Sequence, residues 1–343
     1  MSVFGAFNTP ATLILGLGIS GLSMARWCAR HGCRLRIADT RAAPPNLSQL
    51  RAEEMNAELI TGALTPALLD GGIELIAISP GLSPRATEVA PLLAAARARG
   101  IPVWGELEFF AHALRSLKNI VHGQSKVIAI TGTNGKTTTA ALTGQLCGRA
   151  GCQTSVVGNI GAALLDALSA AIDHQKMPDI WVLELSSFQL ESSHTFAPDV
   201  AVVLNIAPDH LDWHGDFDAY AATKGRIFGM STVRVLNRDD PCSMQCALDD
   251  ADDAEPKPFT FGLSAPQRAG EYGLIYTGDG TAWLAVAEWC ADAFPITGRA
   301  RLRAAGDASS GIGMKRLMPA SALAILIITL MLVLVGLSTL KLR

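Results

Sequence analysis

Positive charge is not in excess in this chain. Its 28 Lys and Arg face 31 Asp and Glu, for a formal net charge of −3, and no Lys/Arg run is long enough to build a local basic field. A nucleic-acid backbone is therefore not an expected partner. No C-x-x-C pair occurs among the seven cysteines (28, 33, 147, 152, 242, 246 and 290). That spacing leaves zinc unsupported, and an odd number spread through apolar segments suits reduced thiols in a cytoplasmic compartment better than a disulfide framework. The first ten residues have neither a basic start nor a sustained apolar core, so no secretory signal is expected. What is present is 49% hydrophobic content over 343 residues, enough for about two to three domains with cores of their own.

The segment Lys126 to Thr139 organises the rest. An apolar run, Val127-Ile-Ala-Ile130, gives way to Thr131-Gly-Thr-Asn-Gly-Lys-Thr-Thr138 and then to a helical pattern. Strand, glycine turn and helix start in that order make an anion site. Amides around Gly132, Gly135 and Lys136 can converge on a phosphate, the Lys136 ammonium adds a full charge, and the Thr137 hydroxyl can reach a magnesium ion. The expected ligand is a nucleoside triphosphate such as ATP, contacted by Gly132, Thr133, Asn134, Gly135, Lys136, Thr137 and Thr138. Only Thr133 and Asn134 separate Gly132 from Gly135, with Ile130 where the common phosphate loop has its first glycine, so this is a variant loop. A purely structural turn with an incidental lysine is the competing reading.

A second glycine turn lies upstream. Thr12-Leu-Ile-Leu15 predicts a buried strand, Gly16-Leu-Gly-Ile-Ser-Gly21 follows, and a helical pattern begins at Leu22. The next strand, Arg34 to Ala38, ends at Asp39-Thr-Arg41, which puts an acid near the offset where a carboxylate meets a ribose in dinucleotide folds. NAD is one candidate; the same turn would serve a UDP-sugar, or be only structural. Glu74 to Ser79 predicts another strand, ending in the rigid loop Pro80-Gly-Leu-Ser-Pro84, with Ser79 and Gly81 as candidate ligand contacts. A helix is expected over 86–99 and a hinge over 116–125. Glu106 and Glu108 read as surface or interdomain charges.

Past the phosphate loop, Asn159 sits in a Gly-Asn-Ile-Gly turn, as a substrate contact or a helix cap. Ile180 to Leu183 predicts a buried strand that delivers Glu184, a carboxylate whose expected partner beside a phosphate loop is magnesium; Glu191 further on reads as solvated. The strand Val200 to Ile206 leads to Asp209-His-Leu-Asp-Trp-His214, a density of polar side chains that turn chemistry alone does not explain. His210 is the preferred metal candidate, with Asp209 second; His214 taken singly reads as a surface residue, Asp212 as a cap and Lys224 as a charged helix residue. From Phe259 to Phe294 short runs separated by Gly/Asp turns predict a small antiparallel β appendage. Leu317 to Leu340 contains no charged residue. As a helix at ~1.5 Å per residue it would cross the ~30 Å core of a bilayer, so membrane contact and tethering are expected possibilities, against a buried helix or an out-of-place translated fragment.

Gly16-Leu-Gly-Ile-Ser-Gly21 with Asp39-Thr-Arg41, Ser79-Pro-Gly81, Gly132 to Thr138, Glu184-Leu-Ser-Ser-Phe-Gln-Leu-Glu191 and Asn205 to His210 together resemble the Mur ligase family, over roughly the first 300 residues. The Glu184–Glu191 segment resembles the branch that adds D-glutamate to UDP-N-acetylmuramoyl-L-alanine in peptidoglycan synthesis. The resemblance implies an α/β architecture. A Rossmann-like domain (1–115) would hold the UDP substrate through Gly18, Ser20, Gly21, Leu22, Asp39, Thr40, Arg41, Ser79, Gly81 and Asn159. A P-loop-type central domain (116–300) would hold ATP and Mg2+. Lys136, Glu184, His210 and Lys224 would form the catalytic set, with Thr137, Glu184, His210 and Lys224 at the metal; Lys224 matches a family lysine that is carbamylated, which makes it an anionic ligand. The family continues into a third domain after a His-Asn segment, where this chain has Ala300 and Arg301 and then the apolar tail (301–343). A truncated or frame-disrupted ligase of doubtful turnover is the resulting expectation, beside a non-catalytic binding module and an NAD-dependent oxidoreductase.

Overall fold

The computed structural model describes residues 3–118, 125–246, 258–276 and 282–286. Two parallel sheets form around two glycine turns. In the first unit, β1 (Thr12–Leu15), β2 (Leu35–Asp39), β3 (Ala57–Thr61), β4 (Leu75–Ile78) and β5 (Val103–Trp104) pair in the order β3-β2-β1-β4-β5. Helices α1 (Ile19–Arg30), α2 (Leu47–Ala52), α3 (Ala90–Ala98) and α4 (Glu106–Lys118) connect them or close the unit. The register Leu15↔Ala38 and Leu15↔Ile78 brings the ends of β1, β2 and β4 to one edge, where the strand order reverses and ligands of such sheets bind. The buried β1 was legible as a short apolar run, but α2 and β3 had no such signal. The helix expected from residue 86 begins at Ala90, after a turn in which Val89 and Ala90 bond back to Ala86.

The second unit comprises β6 (Lys126–Thr131), α5 (Lys136–Arg149), β7 (Thr154–Gly158), α6 (Leu164–Asp173), β8 (Ile180–Glu184), α7 (Ser187–Glu191) and β9 (Val200–Val203). It continues through α8 (Leu211–His214), α9 (Phe217–Gly225), β10 (Val233–Asn237), α10 (Pro241–Gln245), β11 (Phe259–Phe261), β12 (Glu271–Tyr276) and β13 (Ala282–Val286). Its strand order is β13-β12-β11-β10-β9-β6-β8-β7. The Val-Ala-Val-Val of β9 is buried at every position, as a central parallel strand covered on both faces requires. The expected antiparallel appendage is corrected here: β11 and β12 run parallel to β10 and extend the main sheet, and only β13 turns back antiparallel, with Leu274 opposite Leu284. The short Gly/Asp-bounded runs were recognised as strands, but run length alone does not reveal the partner strand.

The two units share one continuous core, with α4 between the sheets. Phe109 and Phe110 are fully buried, and Phe110 meets Trp181 of β8 edge-on at 5.3 Å. Glu106 and Glu108 on the same helix are 3% and 0% exposed, so they are interdomain groups and not surface charges. Glu106 accepts the Leu165 N–H at 3.1 Å; Glu108 accepts the His194 and Thr195 N–H groups at 2.7 and 3.0 Å. Arg26 to Asp166 (2.8 Å) and Arg30 to Asp173 (2.6 Å) line the rim between α1 and α6. The expected hinge overlaps α4, which continues to Lys118, and residues 119–124 lie outside the described residues. The tail from 301, with the candidate span 317–340, also lies outside them; among the described residues no helix is long and apolar enough to cross a membrane.

Candidate functional site

At the end of β6 the backbone turns sharply at Gly132, φ +157, where a Cβ would lie 2.8 Å from Leu204 Cβ. Gly135, left-handed at φ +82, then starts α5. Asn205, just past β9, clamps the loop: its carbonyl accepts the Thr133 N–H at 2.9 Å, its side-chain oxygen accepts the Asn134 N–H at 2.9 Å, and its amide donates to Asn134 O at 3.2 Å. Thr133 Oγ1 also lies 2.9 Å from the Tyr220 hydroxyl. The first intrahelical bond is Thr139 N–H to Gly135 O, so the amides of Lys136, Thr137 and Thr138 precede it, at the positive end of the helix dipole. Those amides, with the exposed Thr137 and Thr138 side chains, are what the loop offers an anion.

Two lysines converge on this turn. Lys136 Nζ donates to the carbonyls of Gly132 and Thr133, both at 2.9 Å, and Lys224 Nζ donates to Gly132 O at 3.0 Å. Lys224 is 1% exposed. Burial, and then the nearby charge of Lys136, bring its pKa down to about 7, so that an appreciable fraction is neutral amine near neutrality. Its nitrogen lies 4.7 Å from the centroid of the Tyr220 ring. Pattern alone made Lys224 a charged helix residue; the fold makes it a buried amine against the phosphate loop.

Glu184 ends β8 and is 1% exposed. Oε1 accepts from Asn159 Nδ2 at 3.2 Å, while Oε2 accepts no hydrogen bond from any described residue. A buried carboxylate oxygen without a donor fits a divalent cation and is costly without one. Asn159 thus stands on Glu184 in the second unit rather than in the first unit's crevice, and its N–H bonds Glu184 O at 2.8 Å. His210 takes a left-handed conformation, φ 52, at the start of α8, with its ring 4.7 Å from that of Phe188 and its Nε2 3.5 Å from Asp209. Among the described residues no three His, Cys, Asp or Glu side chains converge as a metal cluster. Glu184 and His210 therefore stand as separate candidate ligands.

Three neighbouring expectations are corrected. His214 is 0% exposed, bonded through Nε2 to Ser187 Oγ at 2.9 Å, and burial holds its pKa at about 4. Asp216, not Asp212, caps α9 through the Ala219 N–H. Glu191 is not solvated: it receives Arg85 at 2.9 Å and the Thr223 hydroxyl at 2.8 Å. Arg85 and Ser83, which donates to Trp213 O at 2.8 Å, follow β4, so the first unit's crevice loop is tied to helices beside His210 and Lys224.

In the first turn, Gly16 at φ +83 receives the Ser79 hydroxyl on its carbonyl at 2.7 Å, and a Cβ on Gly21 would fall 1.9 Å from that oxygen. Asp39, expected to face a ribose, has both oxygens engaged by its own chain: Oδ2 accepts the Leu17 N–H at 2.7 Å, and Arg41 reaches Oδ1 through N–H and Nε at 2.9 and 2.8 Å. The Arg41 bonds, with those of Leu17, hold the Asp39 carboxyl at about 2. Leu22, also expected at the ligand, is a core residue whose N–H bonds Gly18 O at 2.9 Å. Ser79 is likewise occupied structurally. Gly18, Ser20, Thr40, Arg41 and Gly81 remain on the open side of the turn, and a Cβ added at Gly18 or Gly81 would meet nothing within 4 Å. Tyr220 escaped the sequence argument, and Asn205 entered it only as part of the resemblance, without its role as the loop's clamp; the available signals were an Asn at a strand exit and one of only three tyrosines.

Two parallel sheets, each with a strand that leads through a glycine turn into a helix and joined by a shared core, define a two-unit α/β protein. The Mur ligase middle domain matches residues 130–301, and the Mur ligase MurD-like, N-terminal domain matches residues 10–105. This chain belongs to the Mur ligase family. It is 60% identical over 326 residues to a UDP-N-acetylmuramoylalanine--D-glutamate ligase of Burkholderia thailandensis, covering 94% of this chain and 64% of that protein. The same-named protein of Burkholderia multivorans is 59% identical, with the same two shares. The chain thus spans somewhat under two thirds of these relatives. A solved UDP-N-acetylmuramate:L-alanyl-gamma-D-glutamyl-meso-diaminopimelate ligase from Neisseria meningitides shares 17% identity at a TM-score of 0.46, over 81% of this chain and 84% of that one.

Proposed function

We propose that the chain carries the ATP and UDP-substrate sites of a ligase that joins D-glutamate to UDP-N-acetylmuramoyl-L-alanine. The observation that carries this reading is the convergence of Lys136 and Lys224 on the Gly132 carbonyl, beside the free amides at the start of α5. The substrate carboxylate attacks the γ-phosphorus of ATP, the bond to the β-phosphate oxygen breaks, and ADP leaves an acyl phosphate. The D-glutamate amine then attacks the acyl carbon, losing a proton and expelling phosphate. Lys136 stabilises charge that develops on the transferring phosphoryl group, and the amides of Lys136, Thr137 and Thr138 fix its oxygens.

Glu184 through its unpartnered Oε2, with Thr137 and His210, would hold magnesium, which neutralises phosphate charge when bound. The near-neutral Lys224 amine supports carbamylation, since only the free base reacts with carbon dioxide. Gly18, Ser20, Thr40 and Arg41 receive the UDP moiety, with Arg41 supplying the cation. An NAD reading would need Asp39 free for a ribose, and its oxygens are taken.

Thermal unfolding of the full chain with ATP–Mg2+, UDP-N-acetylmuramoyl-L-alanine or NAD tests this. The first two should each raise Tm and NAD should not; stabilisation by NAD alone would overturn the reading. Turnover with labelled D-glutamate separates a working ligase from a binding module.

A further inference from the structure

The loop that leaves β4, Pro80 to Arg85, belongs to the first unit in sequence but is held by both units. At its start the Ser79 N–H bonds Leu15 O at 2.9 Å and the Ser79 hydroxyl bonds Gly16 O at 2.7 Å, while the Leu82 N–H turns back to Ser79 O at 3.0 Å. Its far end crosses to the second unit. Ser83 Oγ donates to Trp213 O of α8 at 2.8 Å, and Arg85 Nη1 donates to Glu191 Oε1 of α7 at 2.9 Å. Glu191 uses its other oxygen, Oε2, to accept the Thr223 hydroxyl at 2.8 Å, and its carbonyl to accept Arg226 Nη1 at 2.8 Å. Thr223 is followed in α9 by Lys224, whose Nζ bonds Gly132 O at 3.0 Å. Contacts therefore run from the Gly16 carbonyl to the Gly132 carbonyl, from one glycine turn to the other, by way of this loop.

We propose that Arg85 and Glu191 are positioning residues for a ligand that spans the two turns: the pair fixes the Pro80–Arg85 loop to the second unit and so sets where the far end of a UDP-linked carboxylic acid meets the phosphate loop. The inference rests on the first turn being the UDP-substrate site. Between the anchors at Ser79 and Ser83, the backbone at Gly81 faces open space, since a Cβ there would meet nothing within 4 Å. The sugar and acyl portions of the ligand pass that stretch on the way from Gly18 and Ser20 to Lys136. Arg85 and Glu191 touch no reacting atom; they act through the loop.

The pair suits this role better than that of holding the fold together. Arg85 is 45% exposed, and an ion pair with one partner so far in water adds little to stability. Glu191 is 9% exposed and is fixed by Thr223 and Arg226 as well, so the second unit supplies an anchored carboxylate and the loop supplies the arm that reaches it. A displacement of about 1 Å between reacting groups can cost about a hundredfold in rate. A contact worth little to folding is therefore worth much to alignment.

The UDP moiety is received by Gly18, Ser20, Thr40 and Arg41, outside the loop, so UDP alone should not sense the pair, whereas UDP-N-acetylmuramoyl-L-alanine should. Titration calorimetry of the full chain with each ligand makes the comparison. Arg85→Ala and Glu191→Gln should each weaken the full substrate about tenfold and UDP less than about twofold, the scale of one charge-assisted hydrogen bond. Arg85→Lys, which keeps the cation, should hold substrate affinity to within about threefold of the unsubstituted chain, and Arg85→Ala combined with Glu191→Gln should lose no more than either alone. Unchanged substrate affinity in both single variants, or equal weakening of substrate and UDP, overturns the inference alone; no binding of either ligand to the unsubstituted chain overturns the UDP-site reading and this inference with it. Should Glu191→Gln fail to fold, Arg85→Ala and Arg85→Lys decide by the same contrast.

Discussion

The two glycine turns start from the same plan, a buried parallel strand, a turn with left-handed glycine and a helix, yet they are closed by opposite chemistry. Around Gly16–Gly21 the chain satisfies itself: Ser79 covers the Gly16 carbonyl, Asp39 takes the Leu17 amide, and Arg41 neutralises Asp39. Around Gly132–Thr138 the clamp is a neutral Asn205, and two lysines crowd one carbonyl. The first arrangement is a compensated turn that suits a ligand of modest charge with many neutral contacts. The second is under-compensated, and needs anionic charge to relieve the two amines. The position of the nearest carboxylate, more than the glycine spacing, separates the two.

The largest effect that would break this comparison is steric. Gly21→Ala places a methyl 1.9 Å from Gly16 O, backbone against backbone. We expect the first unit to lose about 3 kcal/mol or more, read by denaturant unfolding, because nothing flexible can yield. Gly18→Ala, in open space, should cost less than about 1 kcal/mol. Next comes charge. Lys136→Ala removes one of the two amines and should weaken ATP binding by about 100-fold, the upper range for a charge-assisted hydrogen bond, while UDP-substrate affinity stays within about twofold. Equal loss for both ligands would show that the turns do not discriminate as described.

The seam between the turns sharpens the comparison through two carboxyls on one helix with opposite shifts. Glu106 is raised to about 6 by burial; for Glu108, burial also pushes up, but bonds from His112, Thr195 and His194 prevail and hold it at about 2. A folded-state value above the unfolded one means that ionised Glu106 opposes folding, increasingly from about pH 4.5 to 6 and fully above. Glu106→Gln should therefore gain roughly 1–2 kcal/mol at pH 8 relative to its effect at pH 5. Glu108 has the reverse sign: its contribution is full above about pH 4.5 and is lost as pH falls through 2, so Glu108→Gln should destabilise at neutral pH. Thermal unfolding of both variants across this range checks the two signs together.

What the sequence made legible was whatever is encoded locally. Strands such as Val200–Val203 read correctly because a strand buried on both faces must be continuously apolar. The strand, glycine turn and helix from Lys126 to Arg149 read correctly because the apolar run, the glycines and the helical pattern are consecutive in the chain. Glu191, His214 and, on pattern alone, Lys224 did not, and for Glu106 the interdomain position could not be told from a surface one; the reason is common to all four: each is polar in its local pattern and is buried by partners brought from elsewhere. Leu165 lies 59 residues from Glu106, and Gly132 lies 92 from Lys224. The antiparallel expectation for Phe259 onward failed for a related reason, since a short strand carries its face pattern but not the identity of its neighbour.

The smallest effect tests whether the first turn is truly self-compensated. Asp39 is buried but its partner Arg41 is about half exposed, so solvent screens the pair and Asp39→Asn should cost about 1 kcal/mol at neutral pH. Because the folded-state value, about 2, lies below the ordinary 3.8, that contribution is present above about pH 4 and is lost as pH falls through 2. The stabilities of the two proteins should therefore converge in acid. The ligand response separates two roles for the carboxylate. If Asp39 bonded a ribose, the substitution would weaken UDP-substrate binding; with both oxygens already engaged, its removal instead leaves the Arg41 cation uncompensated beside the anion. Affinity measured by titration should then hold or rise in Asp39→Asn and fall in Arg41→Ala, and a fall in both would return the turn to the ribose-binding arrangement.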